Sequence, residues 1–234
     1  TSLAELAEAY AYSGYGEPAS YAASFGGATL YSASYVRDDL GRIVDKTETL
    51  EGVTTLYGYA YDLAGRLAEV TVDGVLEGAY AYDENGNRLS HTSPSATTVG
   101  SYDAQDRLLS YGSLEFTYTE NGEVSSRTDL DTGEVTGLEY DVYGNLTRVT
   151  LPSCAVIEYI VDGENRRVLK KVDGLVVMGW LYRDDLRPIA ELDAGGAVVG
   201  RFVYALGRNV PDYLVKGGST YKLVTDQVGS VRLG

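Results

Sequence analysis

A few residues in this chain of 234 could do chemistry, and each sits in a setting that argues for a plainer role. His91 is the sole histidine, and it follows a hydrophobic return in "RLSHTSPS". A Ser/Thr/Pro run of that kind reads as a surface loop, with a catalytic base or a metal ligand as the alternative. Cys154 is the sole cysteine and stands beside the apolar run of "LPSCAVIEY". There a buried structural thiol is the expectation and a nucleophile the alternative. One thiol makes no internal disulfide and does not fix a redox compartment.

Acidic residues offer the remaining chemistry. Asp83, Asn85 and Asn87 match the first three ligand positions of a calcium loop. Arg88 replaces the glycine that such a loop needs next, and Pro94 replaces its closing glutamate. A hairpin turn explains the same residues. "DLDTGE" (129–134) groups acids around a glycine and also reads as a turn, with a weak surface cation site as the alternative. Glu115 and Glu139 alternate with strand aromatics, which would bring them to a solvated, tyrosine-lined face. No local pattern marks a glycosidase pair, and no glycine cluster forms a strand-to-helix phosphate loop. The sequence therefore assigns no catalytic, cofactor-binding or metal-binding residue, and no cofactor is expected.

The elements that would position such groups are repeated. In "YGYAYDLAGRLAEVTVDG" (57–74) three tyrosines stand two apart, then a Tyr-Asp pair leads to Gly-Arg-Leu. Tyr82-Asp83, Tyr102-Asp103 and Tyr140-Asp141 open the same phrase. Tyr118 leads to Asn121-Gly122 and Val124, and looser copies start at Tyr35, Tyr159, Tyr182, Tyr204 and Tyr221, about 21 residues per unit. Period-two spacing puts the large residues on one face of a strand. The Asp can bond backbone amides across the following turn. The Gly four residues after the Tyr supplies positive φ without a Cβ clash. Arg66 then faces Asp62 across the hairpin, an exposed pair worth about 0–1 kcal/mol.

Asp73-Gly74, Asp173-Gly174 and Gly195-Gly196 add a second set of turns suited to two-residue hairpins. Each unit thus holds two strands and two turns. The fold class is all-β, a continuous antiparallel hairpin ribbon of close to twenty short strands. Tyrosines of successive units are expected to meet ring against ring, each cross-strand pair worth roughly 0.2–1 kcal/mol. Their hydroxyls suit a face that borders water and would be costly in a dry core. The one helix candidate runs from Ser2 to Ala9, where Ser2 and Glu5 match a capping box; the Tyr10/Tyr12 alternation after it suits a strand better.

Composition agrees. Tyrosine (21 residues) far exceeds Phe (3) and Trp (1), and 28 glycines against 5 prolines indicate many tight reversals. A formal net charge of -15 repels phosphate backbones and anionic lipid, which argues against nucleic-acid partners and a membrane-surface role. No apolar run approaches the ~20 residues of a membrane helix, so membrane insertion is not expected. No signal peptide opens the chain, and its abrupt ends at Thr1 and Gly234 read as those of a piece of something longer.

The recurring Y-D-x-x-G-[RN]-L phrase resembles the tyrosine-aspartate (YD) repeats of the RHS family, related to teneurins and to toxin-complex shell proteins. The resemblance covers roughly residues 10 to 234 and is closest in "SYVRDDLGRI" (34–43), "YDENGNRLS" (82–90) and "VTDQVGSVRL" (224–233). It implies a ribbon that spirals as part of a hollow shell. In bacteria such shells enclose a C-terminal toxin, and in animals the related shell serves cell-surface adhesion. It further implies that residues 1–234 are one YD-repeat segment of a longer, secreted or cell-surface shell. The expected partners are the remainder of the parent chain and an enclosed toxin or effector polypeptide. Family members continue beyond "DQVGSVRLG" into a segment that plugs the shell and can cut the chain; no residue here takes that role.

Three readings follow. The first is a structural, non-catalytic container segment. The second is a binding or self-assembling module that pairs through exposed edge strands or presents tyrosines to glycans. The third is an enzyme such as a glycan hydrolase.

Overall fold

The computed structural model describes residues 6–205 and 209–233. The strands in chain order are β1 (Leu6–Tyr12), β2 (Pro18–Phe25), β3 (Ala28–Arg37), β4 (Ile43–Leu50), β5 (Val53–Tyr61), β6 (Leu67–Val72), β7 (Val75–Tyr82) and β8 (Arg88–Thr92). They continue as β9 (Thr97–Tyr102), β10 (Leu108–Tyr111), β11 (Leu114–Tyr118), β12 (Val124–Asp129), β13 (Val135–Tyr140), β14 (Leu146–Thr150), β15 (Val156–Val161) and β16 (Arg167–Val172). The last are β17 (Leu175–Tyr182), β18 (Pro188–Leu192), β19 (Val198–Val203), β20 (Tyr213–Lys216), β21 (Ser219–Lys222), β22 (Val224–Thr225) and β23 (Val231–Leu233). No helix occurs among the described residues. Leu6–Ala9 belong to β1, while Ser2 and Glu5 of the helix candidate lie outside the described residues.

Each strand from β1 to β20 pairs antiparallel with the next, giving one long meander of 21 strands. β22 and β23 form a separate two-stranded sheet. The chain divides into two compact units, Thr1–Val99 with Leu223–Gly234, and Gly100–Lys222.

Two kinds of turn alternate along much of the ribbon. At Asp62 the backbone N–H donates to the Arg66 carbonyl (2.9 Å), and the Gly65 N–H donates back to the Asp62 carbonyl (3.0 Å). Gly65 sits at φ 81°, and the register slips by one residue between Ala60 and Tyr61. This is a three-residue loop with a glycine bulge. The same backbone bonds recur at Asp38, Asp83, Asp103, Asp141 and Asp162. The opposite turns are two residues long: Asp73 and Gly74 lie at φ 50° and 79° between the paired Val72 and Val75. Asp173-Gly174 repeats that geometry, and so does Glu51-Gly52. Gly195-Gly196 does not. There Asp193 anchors a three-residue loop in which only Gly196 takes positive φ.

The first unit has a small core of Tyr21, Ala23, Tyr31, Ala33 and Val224, against which Tyr35, Leu50 and Leu233 pack. Tyr10 and Tyr21 pair directly across their strands with ring centroids 4.7 Å apart, and alanines opposite Tyr21 (Ala33) and Tyr31 (Ala23) let those two rings approach diagonally to 5.9 Å. In the second unit Gly179 is buried, and a Cβ there would meet Leu169 Cδ2 at 2.9 Å, so the close packing on β16 requires glycine.

Three further expectations are corrected by this architecture. His91 is not in a loop but in β8, half-buried and stacked on its cross-strand partner Tyr80 (4.9 Å, 12°). Its neighbours Ser90 and Thr92 continue the strand, and the turn begins at Ser93. Cys154 is exposed, at φ 66° in a turn closed by Leu151 and Ala155. The apolar run beside it belongs to β15. Glu115 and Glu139 are exposed, because strand neighbours point to opposite faces and Phe116, Tyr118 and Tyr140 face the other way.

Candidate functional site

The unit of this structure is a hairpin that grips its successor. Asp62 Oδ1 accepts the Arg66 N–H (2.8 Å) and Oδ2 accepts Arg66 Nε (2.7 Å), so one carboxylate closes the turn and aims the guanidinium. Arg66 Nη1 then donates to the Asp83 carbonyl of the next unit (2.7 Å). The guanidinium carbon lies 4.8 Å from the centre of the Tyr82 ring. The Tyr82 hydroxyl donates to the Leu67 carbonyl (2.8 Å), one residue past the arginine.

Other units repeat the arrangement. Arg42 covers Tyr61 at 4.6 Å, and the Tyr61 hydroxyl donates to the Ile43 carbonyl. Arg107 covers Tyr118 at 4.9 Å, with the Tyr118 hydroxyl on the Leu108 carbonyl. In the second unit Arg166 lies over Tyr182 and Tyr182 bonds the Arg167 carbonyl. Among the described residues, the tyrosine of these repeats meets an arginine in place of the expected neighbouring ring, while Tyr10, Tyr21 and Tyr31 keep ring-on-ring contact. Such contacts are worth about 0.5–1 kcal/mol at exposed sites.

Asparagine keeps half of the device. Asn87 and Asn145 donate both backbone and side-chain N–H groups to Asp83 and Asp141. Their short amides carry no charge to lay over a ring. Thr119 and Glu123 invert the roles, with the threonine hydroxyl donating to the glutamate carboxylate. Asp83 therefore spends its carboxylate on a turn, as the hairpin reading of the calcium-like spacing expects. At "DLDTGE", Asp129 likewise accepts the Asp131 N–H inside a turn.

These bonds set the electrostatics. Backbone and side-chain donors of Arg66 hold the Asp62 carboxyl below the usual aspartate range. Hydrogen bonds from Arg42, Asn87, Arg107, Asn145, Arg166 and Arg187 do the same for Asp38, Asp83, Asp103, Asp141, Asp162 and Asp184. Burial raises the phenols of Tyr118, Tyr182 and Tyr204, while the neighbouring guanidinium groups pull the other way.

A second polar centre sits in the first unit. Glu48 on β4 is 3% exposed. Its carboxylate accepts the Tyr31 hydroxyl (2.9 Å), lies 3.3 Å from Lys46 Nζ, and accepts Arg232 Nη2 (2.7 Å). Burial works against its charge, but Tyr31, Lys46 and Arg232 outweigh it and hold the carboxyl below its ordinary value. Sequence reading missed this centre. The only local signal was a charged pair, Lys46 and Glu48, spaced two apart on a strand.

Residues 1–233 match the profile of the family described as Teneurin YD-shell. The chain belongs to this family of YD-repeat shells. The YD-shell segment is 27% identical over 211 residues to Teneurin-1 of Mus musculus, covering 87% of this chain and 8% of that protein. It is 33% identical over 162 residues to Teneurin-3 of Mus musculus (66% and 6% covered). A bacterial relative, Probable deoxyribonuclease RhsB of Dickeya dadantii (strain 3937), is 29% identical over 154 residues (64% and 10% covered). Among solved structures, the TcdB2-TccC3 crystal structure aligns with 97% of this chain and 18% of its own, at 13% identity and a TM-score of 0.37. The YD-shell segment thus spans less than a tenth of the teneurins it matches. Membership of the family gives it a shell-type structural role.

Proposed function

We propose that residues 1–234 are one structural segment of a longer, secreted or cell-surface YD-repeat chain that encloses or supports a toxin or effector polypeptide. The segment contributes wall and no catalytic step. The observation that carries this reading is the interlock between consecutive hairpins, in which the arginine of one unit holds the tyrosine of the next. A ribbon built this way stiffens itself strand by strand without a helix layer. Its carboxylates at the turns are engaged by the turns themselves. The small share of each relative that the segment covers supports a longer parent. A relative with a nuclease name fits an effector carried by such a chain.

Protease protection tests the proposal. In the intact parent, the enclosed polypeptide should resist digestion. Deleting residues 1–234 should expose it to cleavage at least tenfold faster. Equal protection with and without the segment overturns containment.

A further inference from the structure

The hairpin of β22 and β23 is attached in an unusual way. It pairs only within itself, and the backbone bonds of its turn run from Asp226 to Ser230 and from Gly229 to Asp226. Among the described residues, no backbone ladder joins it to the strands it covers. What holds it is side chains. Val224 is 3% exposed among Tyr21, Ala23, Tyr31 and Ala33, and Leu233 packs beside it. Gln227 Oε1 accepts the Tyr35 hydroxyl at 2.7 Å, 192 residues away in sequence. Arg232 Nη2 reaches Glu48 Oε2 at 2.7 Å across 184 residues.

A two-stranded hairpin alone is marginal in water, so this one owes its order to its seat. The seat in turn is specific. It offers an apolar slot for the first strand, a phenol that donates to the turn tip, and one buried carboxylate for the second strand. A neutral residue at 232 would leave Glu48 with Lys46 and Tyr31 and remove the only ion pair between hairpin and seat that the described residues hold. Charge pairing of this sort selects partners, because a mismatched residue opposite a buried carboxylate is strongly disfavoured.

We propose that the face made by Tyr31, Tyr35 and Glu48 is a receptor for a β-hairpin of the form Val-Thr-Asp-x-x-Gly-x-x-Arg-Leu, normally filled by the chain's own residues 224–233. The hairpin is an exchangeable clasp. It belongs to the same chain as its seat, so its docking is intramolecular and needs no second molecule. The inference stands on the first unit alone and does not depend on containment.

A labelled synthetic peptide of residues 223–233 is the probe, added to the full chain. The wild-type chain should bind it weakly, because its own hairpin occupies the seat. Arg232→Met should loosen the resident hairpin and bind the peptide at least tenfold more tightly. Adding Glu48→Gln to Arg232→Met should abolish that gain. In parallel, amide exchange at 224–233 should accelerate at least tenfold in Arg232→Met while the amides of β15 to β18 keep wild-type rates, which also shows that the variant folds. Arg232→Lys keeps the charge and should restore most of the protection. Peptide affinity unchanged by Arg232→Met, or gained equally with and without Glu48, overturns the receptor. Slow exchange at 224–233 in both Arg232→Met and Glu48→Gln overturns the exchangeable clasp.

Discussion

The guanidinium of Arg66 lies 4.8 Å over the ring of Tyr82, and the hydroxyl of Tyr82 returns a 2.8 Å hydrogen bond to the carbonyl of Leu67, the residue after that arginine. The two contacts make a reciprocal clamp between consecutive units, joining residues 16 apart in sequence. Arg66 is fixed by Asp62 on one side and by the Asp83 carbonyl on the other, so little side-chain freedom remains to be lost at the ring. Tyr82→Phe should cost about 1 kcal/mol, the net value of one hydrogen bond. Arg66→Met should cost about 1 kcal/mol through the cation–π contact and the lost pair with Asp62. The two residues touch, so their effects should not add; a double-mutant cycle in urea should return a coupling of about 0.5 kcal/mol or more. Strict additivity would show that the clamp is only proximity.

The three-residue turns make a sharp backbone demand. Gly86 sits at φ 92° with open space where a Cβ would go, so any penalty at this position comes from the backbone and not from a clash. Gly86→Val should destabilise by about 1–2 kcal/mol or more, since a β-branched residue is poorly suited to that region. Glu84→Ala, two residues away on the exposed side of the same loop, should be nearly silent. Thermal melts of both variants test the placement, and equal midpoints would contradict it.

Acid should dissolve the turns together. The Asp62, Asp103 and Asp162 carboxyls are held low, first by backbone donors of Arg66, Arg107 and Arg166 and then by their side chains. A depressed carboxyl binds fewer protons folded than unfolded. Its contribution is therefore complete above the ordinary aspartate value of about 3.9 and disappears as pH falls through the depressed one. Carboxyl-detected NMR should show these aspartates titrating below free aspartate, and melting temperature should fall steeply below about pH 4. Ordinary midpoints for Asp62, Asp103 and Asp162 would show that the turn bonds do not bias ionisation.

Much of the ribbon was legible in the sequence because its turns are. Asp, Gly and Asn have conformational habits that survive any context, so Tyr61-Asp62 through Leu67 could be read as a hairpin without knowing its neighbours. The loose copies were harder. At Tyr35 and Tyr159 the residues that take the tyrosine's place before the turn are Arg37 and Val161, two positions later. Period two kept the face right and let the register slip by one pair. His91 was misread because serines and threonines serve strands as readily as loops. Cys154 was misread because an apolar run says nothing about the turn that opens it. The Arg–Tyr clamp and the Glu48–Arg232 pair were illegible for a different reason. Both depend on which strands end up side by side, and neither distance is encoded in local spacing.

Tyr31 and Glu48 offer the most severe test of how this small core is held. Tyr31 is fully buried, and its hydroxyl donates to a carboxylate that is itself 3% exposed. Removing the hydroxyl leaves the ring packing intact but takes one donor from a buried charge, so Tyr31→Phe should cost about 1–3 kcal/mol, more than Tyr82→Phe, whose partner is the uncharged carbonyl of half-buried Leu67. The sign of its pH dependence follows from the same contact. Tyr31, Lys46 and Arg232 overcome burial and keep the Glu48 carboxyl below its ordinary value, so the wild type holds this contribution above about pH 4.3 and loses it as pH falls through the depressed value. Without the tyrosine hydroxyl the carboxyl should titrate higher, so the folded variant takes up its proton sooner and loses less stability than the wild type as pH falls. Urea melts of Tyr31→Phe at pH 7 and pH 4 should therefore show its deficit shrinking in acid. A deficit that grows or stays constant in acid would mean that Glu48 is held by its cations alone.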